Sequence, residues 1–275
     1  MTAGQLAALV SSVVVVLAFV YPFWWLVSAS LKPREDVFDN GFWPDPLQPA
    51  NYVEVWNQLP ITTWLFNSLV VGVAAAVAVT VSSALVAFGF AYFDFRGRTV
   101  LFWCVLATMM LPGVVTLVPT YLLWDQLGLA TTQVPLWASN LFGSAFYVFL
   151  LRQFFKSLPR DTLDARRVDG CGYLSMFWRI VVPMSKPALA ITFIFEFQAS
   201  WVDLLRPLVY LQDPELFTLP RGLKAVLDQF GQGGEREWEL VLAANVIATV
   251  PMVVLFIIGG RYVVQGITIS SGDKE

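Results

Sequence analysis

Residues 66–93 read FNSLVVGVAAAVAVTVSSALVAFGFAYF. No Asp, Glu, Lys or Arg interrupts the run, and it fills the roughly 17–25 residues with which a helix crosses the hydrocarbon core of a bilayer. Working outward, five further runs of this kind follow: Leu6 to Ser28 before it, then Thr99 to Leu123, Val134 to Leu151, Pro187 to Leu208 and Leu240 to Ile258. The expectation is an all-α membrane protein with six transmembrane helices. The third run carries Pro112 and Pro119 and the sixth Pro251, and such kinks are tolerated where neighbouring helices satisfy the freed carbonyls.

Composition agrees. Of 275 residues, 57% are hydrophobic and only 13% charged, where a soluble domain carries about a quarter charged. A net charge of -3 leaves no global basic face, so nucleic acid is not an expected partner. Histidine is absent and the two cysteines, Cys104 and Cys171, lie far apart, which removes the common His/Cys zinc sites and the Ser-His or Cys-His nucleophiles. No G-x-x-x-x-G-K-[ST] phosphate loop occurs, so any ATP chemistry must sit on another chain. No catalytic or metal-binding residue is expected. No cation precedes the first run, which outlasts the roughly 7–15 residues of a signal-peptide core and reads as a retained span.

Orientation follows from Lys and Arg. With the N-terminus inside, most of the 17 cations fall in inner segments, above all between Arg152 and Lys186, which supports cytoplasmic termini. Along the second span Gly72, Ala76, Thr80 and Ala84 form a stripe of small residues. Such a stripe allows close helix approach, within this chain or against another.

The segment 152–186 carries the most information. Ser157-Leu158-Pro159 reads as the start of one short helix running to Val168, and Gly170 and Gly172 break it. A second helix follows, with Tyr173, Leu174, Phe177, Trp178 and Val181 on one apolar face, until Pro183. Its cations exclude it from lipid, so this amphipathic pair either lies on the membrane surface or inserts into a protein partner.

Asp164-Ala165-Arg166-Arg167-Val168-Asp169-Gly170-Cys171, followed by Phe177, Ile180, Pro183 and Pro187, is similar to the EAA loop of ABC importer permeases. Asp164 stands where that family has Glu, Arg166 where it has a second Ala, and Cys171 where it has Ala. The resemblance covers nearly the whole chain and is to the six-span permeases of carbohydrate importers, of the maltose or glycerol-phosphate type. Ser28 to Pro33, Asn51-Tyr52, Asn67-Ser68, Leu111-Pro112, Trp201-Val202-Asp203, Thr218-Leu219-Pro220 with Gly222-Leu223, and Gly266-Ile267-Thr268 carry it in order. Val202 replaces the family's Asn.

That resemblance implies the type I importer permease fold, one transmembrane domain over residues 1–275, with 152–186 as a cytoplasmic coupling loop. It implies Asp164, Ala165, Asp169, Gly170, Tyr173, Phe177 and Trp178 as contacts to an ATPase. The implied partners are a second, homologous permease, a pair of cytoplasmic ATPase subunits carrying ATP and Mg, an extracytoplasmic solute-binding protein, and the lipid of a bacterial or archaeal plasma membrane. The runner-up class, an ion-coupled secondary transporter, would need ionisable or unwound segments in two repeats.

Here the clear intramembrane carboxylates, Glu196 and Asp203, share the fifth run, roughly 13 Å and 24 Å from its inner end at about 1.5 Å per residue. Being seven apart, they point to about the same side. They are candidates to line a solute path with Gln198 and Trp201. The alternative is that Asp203 pairs with Arg206 and Glu196 with a polar group on the companion permease.

Overall fold

The computed structural model describes residues 2–39, 41–159, 170–231 and 237–271, and every regular element among them is helical. Helix α1 (Ala3–Ser30) opens with a capping box: Thr2 Oγ1 accepts from the Gln5 amide at 3.4 Å and the Gln5 side chain accepts from the Thr2 amide at 2.9 Å. It is apolar all round, and Val13, Leu17, Phe19 and Val20 are exposed within this chain, as a helix surrounded by lipid or by other membrane helices requires. The connection to α2 (Ala50–Gln58) is locked by polar groups. Lys32, though buried, donates to the carbonyls of Asp39 and Gly41 at 3.0 and 2.8 Å, and Asn51 donates to those of Ser30 and Lys32 at 3.0 and 2.9 Å.

Helix α3 (Ile61–Tyr92) is the axis of the bundle. After it come α4 (Arg98–Thr108), α5 (Gly113–Gln126), the short α6 (Val134–Ala138) continued by a 3₁₀ turn to Phe142, and α7 (Ala145–Ser157). Then follow α8 (Tyr173–Met184), α9 (Lys186–Trp201), α10 (Leu205–Tyr210), α11 (Leu219–Gly231) and α12 (Trp238–Ser271). Helices α7 and α9 flank α3. The small-residue stripe on α3 serves this contact: a methyl group at Gly72 would come 3.0 Å from the Phe197 ring, and Ala76 and Ala84 are buried. That favours packing within the subunit.

Among the described residues three helices are long and apolar enough to cross a membrane, Gly4–Ser30, Ile61–Tyr92 and Trp238–Gly260. Three pairs of shorter helices qualify together, bent by 97° between α4 and α5, 41° between Val134–Phe142 and α7, and 81° between α8 and α9. The kink that the prolines of the third run allowed is thus a near-right-angle break, and the fourth and fifth runs are bent as well.

Each break has a local cause. Pro112, in extended conformation, cannot donate back to α4 and disfavours helical geometry at Leu111. Gly143 takes φ 79°, which glycine adopts without steric cost. The fifth run stops at Trp201 because the Asp203 carboxylate accepts from the Arg206 amide at 3.3 Å, starting α10 instead. Asp203 thus leaves the helix and the face that Glu196 occupies. By contrast Pro251 is absorbed within α12.

Candidate functional site

Where α3 and α7 end, α8 lies across the bundle. Helix α7 closes at Ser157, whose hydroxyl donates to the Phe154 carbonyl at 2.7 Å, and Leu158 is extended ahead of Pro159. Ser157 therefore closes α7, and the short helix expected beyond Pro159 falls outside the described residues. Asp164, Ala165 and Asp169 lie outside the described residues. The chain is described again from Gly170, which has φ 77° and, among the described residues, has no atom within 4 Å of where a side chain would begin.

Helix α8 has two sides, where the sequence suggested one apolar face. Phe177, Val181 and Met176 are buried in this chain, with Phe177 5.3 Å from the Phe88 ring. Tyr173, Leu174 and Trp178 are exposed; Tyr173 rests edge-on against Phe93 at 4.7 Å and Trp178 against Phe177 at 5.0 Å. A π turn over Phe177–Val181 shifts the helical phase ahead of Pro183, whose ring has no N–H to offer, and helps divide the set. Phe177 thus acts as a foundation. Tyr173, Leu174 and Trp178 form the exposed side of α8.

A second constellation lies inside the bundle, at the Gly143 break. Asn140 Nδ2 donates to Glu196 Oε1 at 2.5 Å and to the Ala75 carbonyl at 3.3 Å, and buried Tyr147 lies beside the same carboxylate. Helix α3 satisfies the broken backbone: Ser82 Oγ donates to the Asn140 carbonyl and Ser83 Oγ accepts from the Ser144 amide, both at 3.0 Å. Glu196 is thus engaged within its own chain. Its partners were invisible in sequence, because a single Asn or Tyr in an apolar run has no periodic signature.

The rest of the proposed solute path does not share one surface. Gln198 is exposed, whereas Trp201 is buried, stacked on Phe197 at 5.6 Å and donating to the Ala248 carbonyl at 3.2 Å. Asp203 pairs with Arg206. Replacing Glu196 by leucine would take from Asn140 the stronger of its two acceptors and leave the Tyr147 hydroxyl in apolar surroundings, and is expected to cost about 2–4 kcal/mol, against about 1 kcal/mol for Glu196→Gln. Equal unfolding midpoints for both variants and the wild type would show that the knot is open.

At the opposite end of the bundle, α3 receives the segment after α10. Asn67 Nδ2 donates to the Glu215 and Phe217 carbonyls at 2.8 and 3.0 Å, Ser68 Oγ accepts from the Leu219 amide at 2.7 Å, and Trp64 Nε1 donates to the Pro214 carbonyl at 3.3 Å. Asn67-Ser68 and the stretch around Thr218-Leu219-Pro220, far apart in the sequence, meet here as a single contact.

The sequence profile of the family described as binding-protein-dependent transport system inner membrane component matches residues 76–269. The arabinooligosaccharides transport system permease protein AraQ of Bacillus subtilis (strain 168) is 33% identical over 92% of this chain and 90% of its own length. The sn-glycerol-3-phosphate transport system permease protein UgpE of Yersinia enterocolitica is 33% identical over 82% of this chain and 81% of its own. Among solved structures, a chain of a bacterial ABC transporter involved in import of the acidic polysaccharide alginate superposes with a TM-score of 0.82 at 21% identity, covering 95% of this chain and 98% of that one. At that identity the likeness is one of fold.

Proposed function

The chain belongs to the family of binding-protein-dependent transport system inner membrane components, and from that premise we propose that it moves a sugar or sugar-like solute as a permease subunit of an ATP-driven importer. It is a transport subunit and not an enzyme. The observation that carries the solute class is the end-to-end likeness to permeases of arabinooligosaccharides and glycerol phosphate. An oligosaccharide, a polyol or a glycerol-phosphate-type solute fits it.

In this reading the chain crosses the plasma membrane of a prokaryote six times, the three bent helix pairs each counting once, with both termini in the cytoplasm. The partners are a companion permease, two ATPase subunits that bind ATP and Mg, and an extracytoplasmic binding protein. Segment 152–186 couples to the ATPase through Gly170 and the exposed Tyr173, Leu174 and Trp178. Asp164, Ala165 and Asp169 belong to the same element. Closure of the ATPases on ATP would push α8. Because Phe177 and Val181 seat α8 on the ends of α3 and α7, the push reaches the bundle through packed side chains.

Co-purification tests the assembly. Tagged protein drawn from native membranes should bring an ATPase and a second permease, and the matching binding protein should be stabilised in a thermal-shift screen by a sugar or polyol. Uptake driven by an ion gradient without ATP would sink the proposal. Topology is checked separately in a background lacking Cys104 and Cys171. A cysteine at Arg96 should react with an impermeant thiol reagent only from the cytoplasmic side, and one at Asp228 only from outside.

A further inference from the structure

Where α3 ends, α4 begins and α7 finishes, two arginines anchor on carbonyls three residues apart. Arg152 donates Nε–H to the Phe90 carbonyl at 3.3 Å and lies over the Phe102 ring, 4.0 Å from its centroid. Arg98 donates to the Phe93 carbonyl at 3.0 Å and pairs with Asp94. Burial and, after it, the positive charge of Arg98 bear on Arg152. Among the described residues no carboxylate pairs with Arg152.

One hydrogen bond to a carbonyl near the end of α3 is what helix capping asks of Arg152. That leaves most of its five N–H donors unused, beside a second arginine whose single carboxylate neighbour, Asp94, is almost fully exposed. The surface around the pair is apolar: Phe95, Val100, Leu101, Trp103 and Phe149 are all exposed. Such a surface suits acyl chains.

We propose that Arg98 and Arg152 together hold the phosphate of an anionic phospholipid, whose chains run along the exposed apolar side of α4. The planar guanidinium fork matches a phosphate's oxygens. A phosphate placed between the two arginines removes their mutual repulsion where the surrounding dielectric is low. Basic pockets between membrane helices at headgroup level favour anionic headgroups in this way. The site is distinct from α8 and from the Glu196 knot, and it makes the lipid a bound component.

The test uses the full chain, purified with its accompanying subunits, delipidated, and titrated with phosphatidylglycerol or with phosphatidylcholine of the same acyl chains. Bound lipid is counted by native mass spectrometry. The wild type should retain the anionic lipid about tenfold better or more. The double variant Arg98→Gln/Arg152→Gln should lose the preference, and Arg96→Gln, altering a neighbouring exposed cation, should keep it. Equal retention of the two lipids by the wild type, a comparison that needs no variant to fold, overturns the proposal. So does an unchanged preference in the double variant. Displacement of phosphatidylglycerol by millimolar inorganic phosphate would overturn the lipid assignment in favour of a free-anion site.

Discussion

Replacing Gly170 by valine is expected to cut solute uptake severely while leaving the protein in the membrane. The residue holds φ 77°, a left-handed conformation that a β-branched side chain adopts only under strain. Among the described residues, a side chain at this point would meet nothing within 4 Å. The penalty is therefore conformational, about 1–3 kcal/mol, and the chain can relieve it by rotating the turn that leads into α8. Rotation would misdirect Tyr173, Leu174 and Trp178, the side chains we propose meet the ATPase. The complex should then either lose its ATPase or hydrolyse ATP without import, with uptake reduced about tenfold or more, since each 1.4 kcal/mol is a factor of ten.

Gly170→Asn separates this account from a simple loss of space. Asparagine visits the left-handed region readily, so it should retain most uptake although it is bulkier than glycine. Normal uptake by Gly170→Val, with hydrolysis still stimulated by the binding protein, would show that this turn does not couple the subunits.

The second large effect is expected at Gly222, and it is one of stability. A methyl group there would lie 2.3 Å from two carbons of the Trp64 indole and 2.6 Å from a third. Trp64 cannot move aside cheaply, being buried with its Nε1 bonded to the Pro214 carbonyl. Overpacking a filled core costs about 1–3 kcal/mol and sometimes more. Gly222→Ala should approach the upper end of that range, and Gly222→Val should remove folded protein from the membrane. A cycle with Trp64→Ala checks the cause, because contacting residues do not add. In that background Gly222→Ala should cost under about 1 kcal/mol, and an undiminished cost would place the strain elsewhere.

Much of the fold was legible in the linear chain because lipid imposes a coarse demand. A run such as 66–93 has few alternatives to a spanning helix, and α3 indeed runs unbroken from Ile61 to Tyr92. Order and spacing of short pieces pointed to the permease family, which the match over residues 76–269 shows. Hydropathy was blind to the breaks. An apolar run scores the same whether it is straight or bent by 97°, and only Pro112 hinted at the largest of them. The α8 face was misjudged for a related reason: helical spacing groups Tyr173, Phe177 and Trp178, but does not say which of them the bundle will cover.

By itself, then, the sequence determined the class, the helix-forming runs, the asymmetry of charge and the family, since each depends on composition or local order. Tertiary structure alone decided that Asn140 binds Glu196 with Tyr147 beside it, that Asn67 and Ser68 seat the 215–219 segment, that Phe177 faces inward, and that Arg98 and Arg152 both anchor on carbonyls at the end of α3. Most of these contacts join residues from tens to about 150 positions apart. Their energies come from buried donors and acceptors with nowhere else to turn in an apolar interior. Such a constraint exists only once the helices are packed.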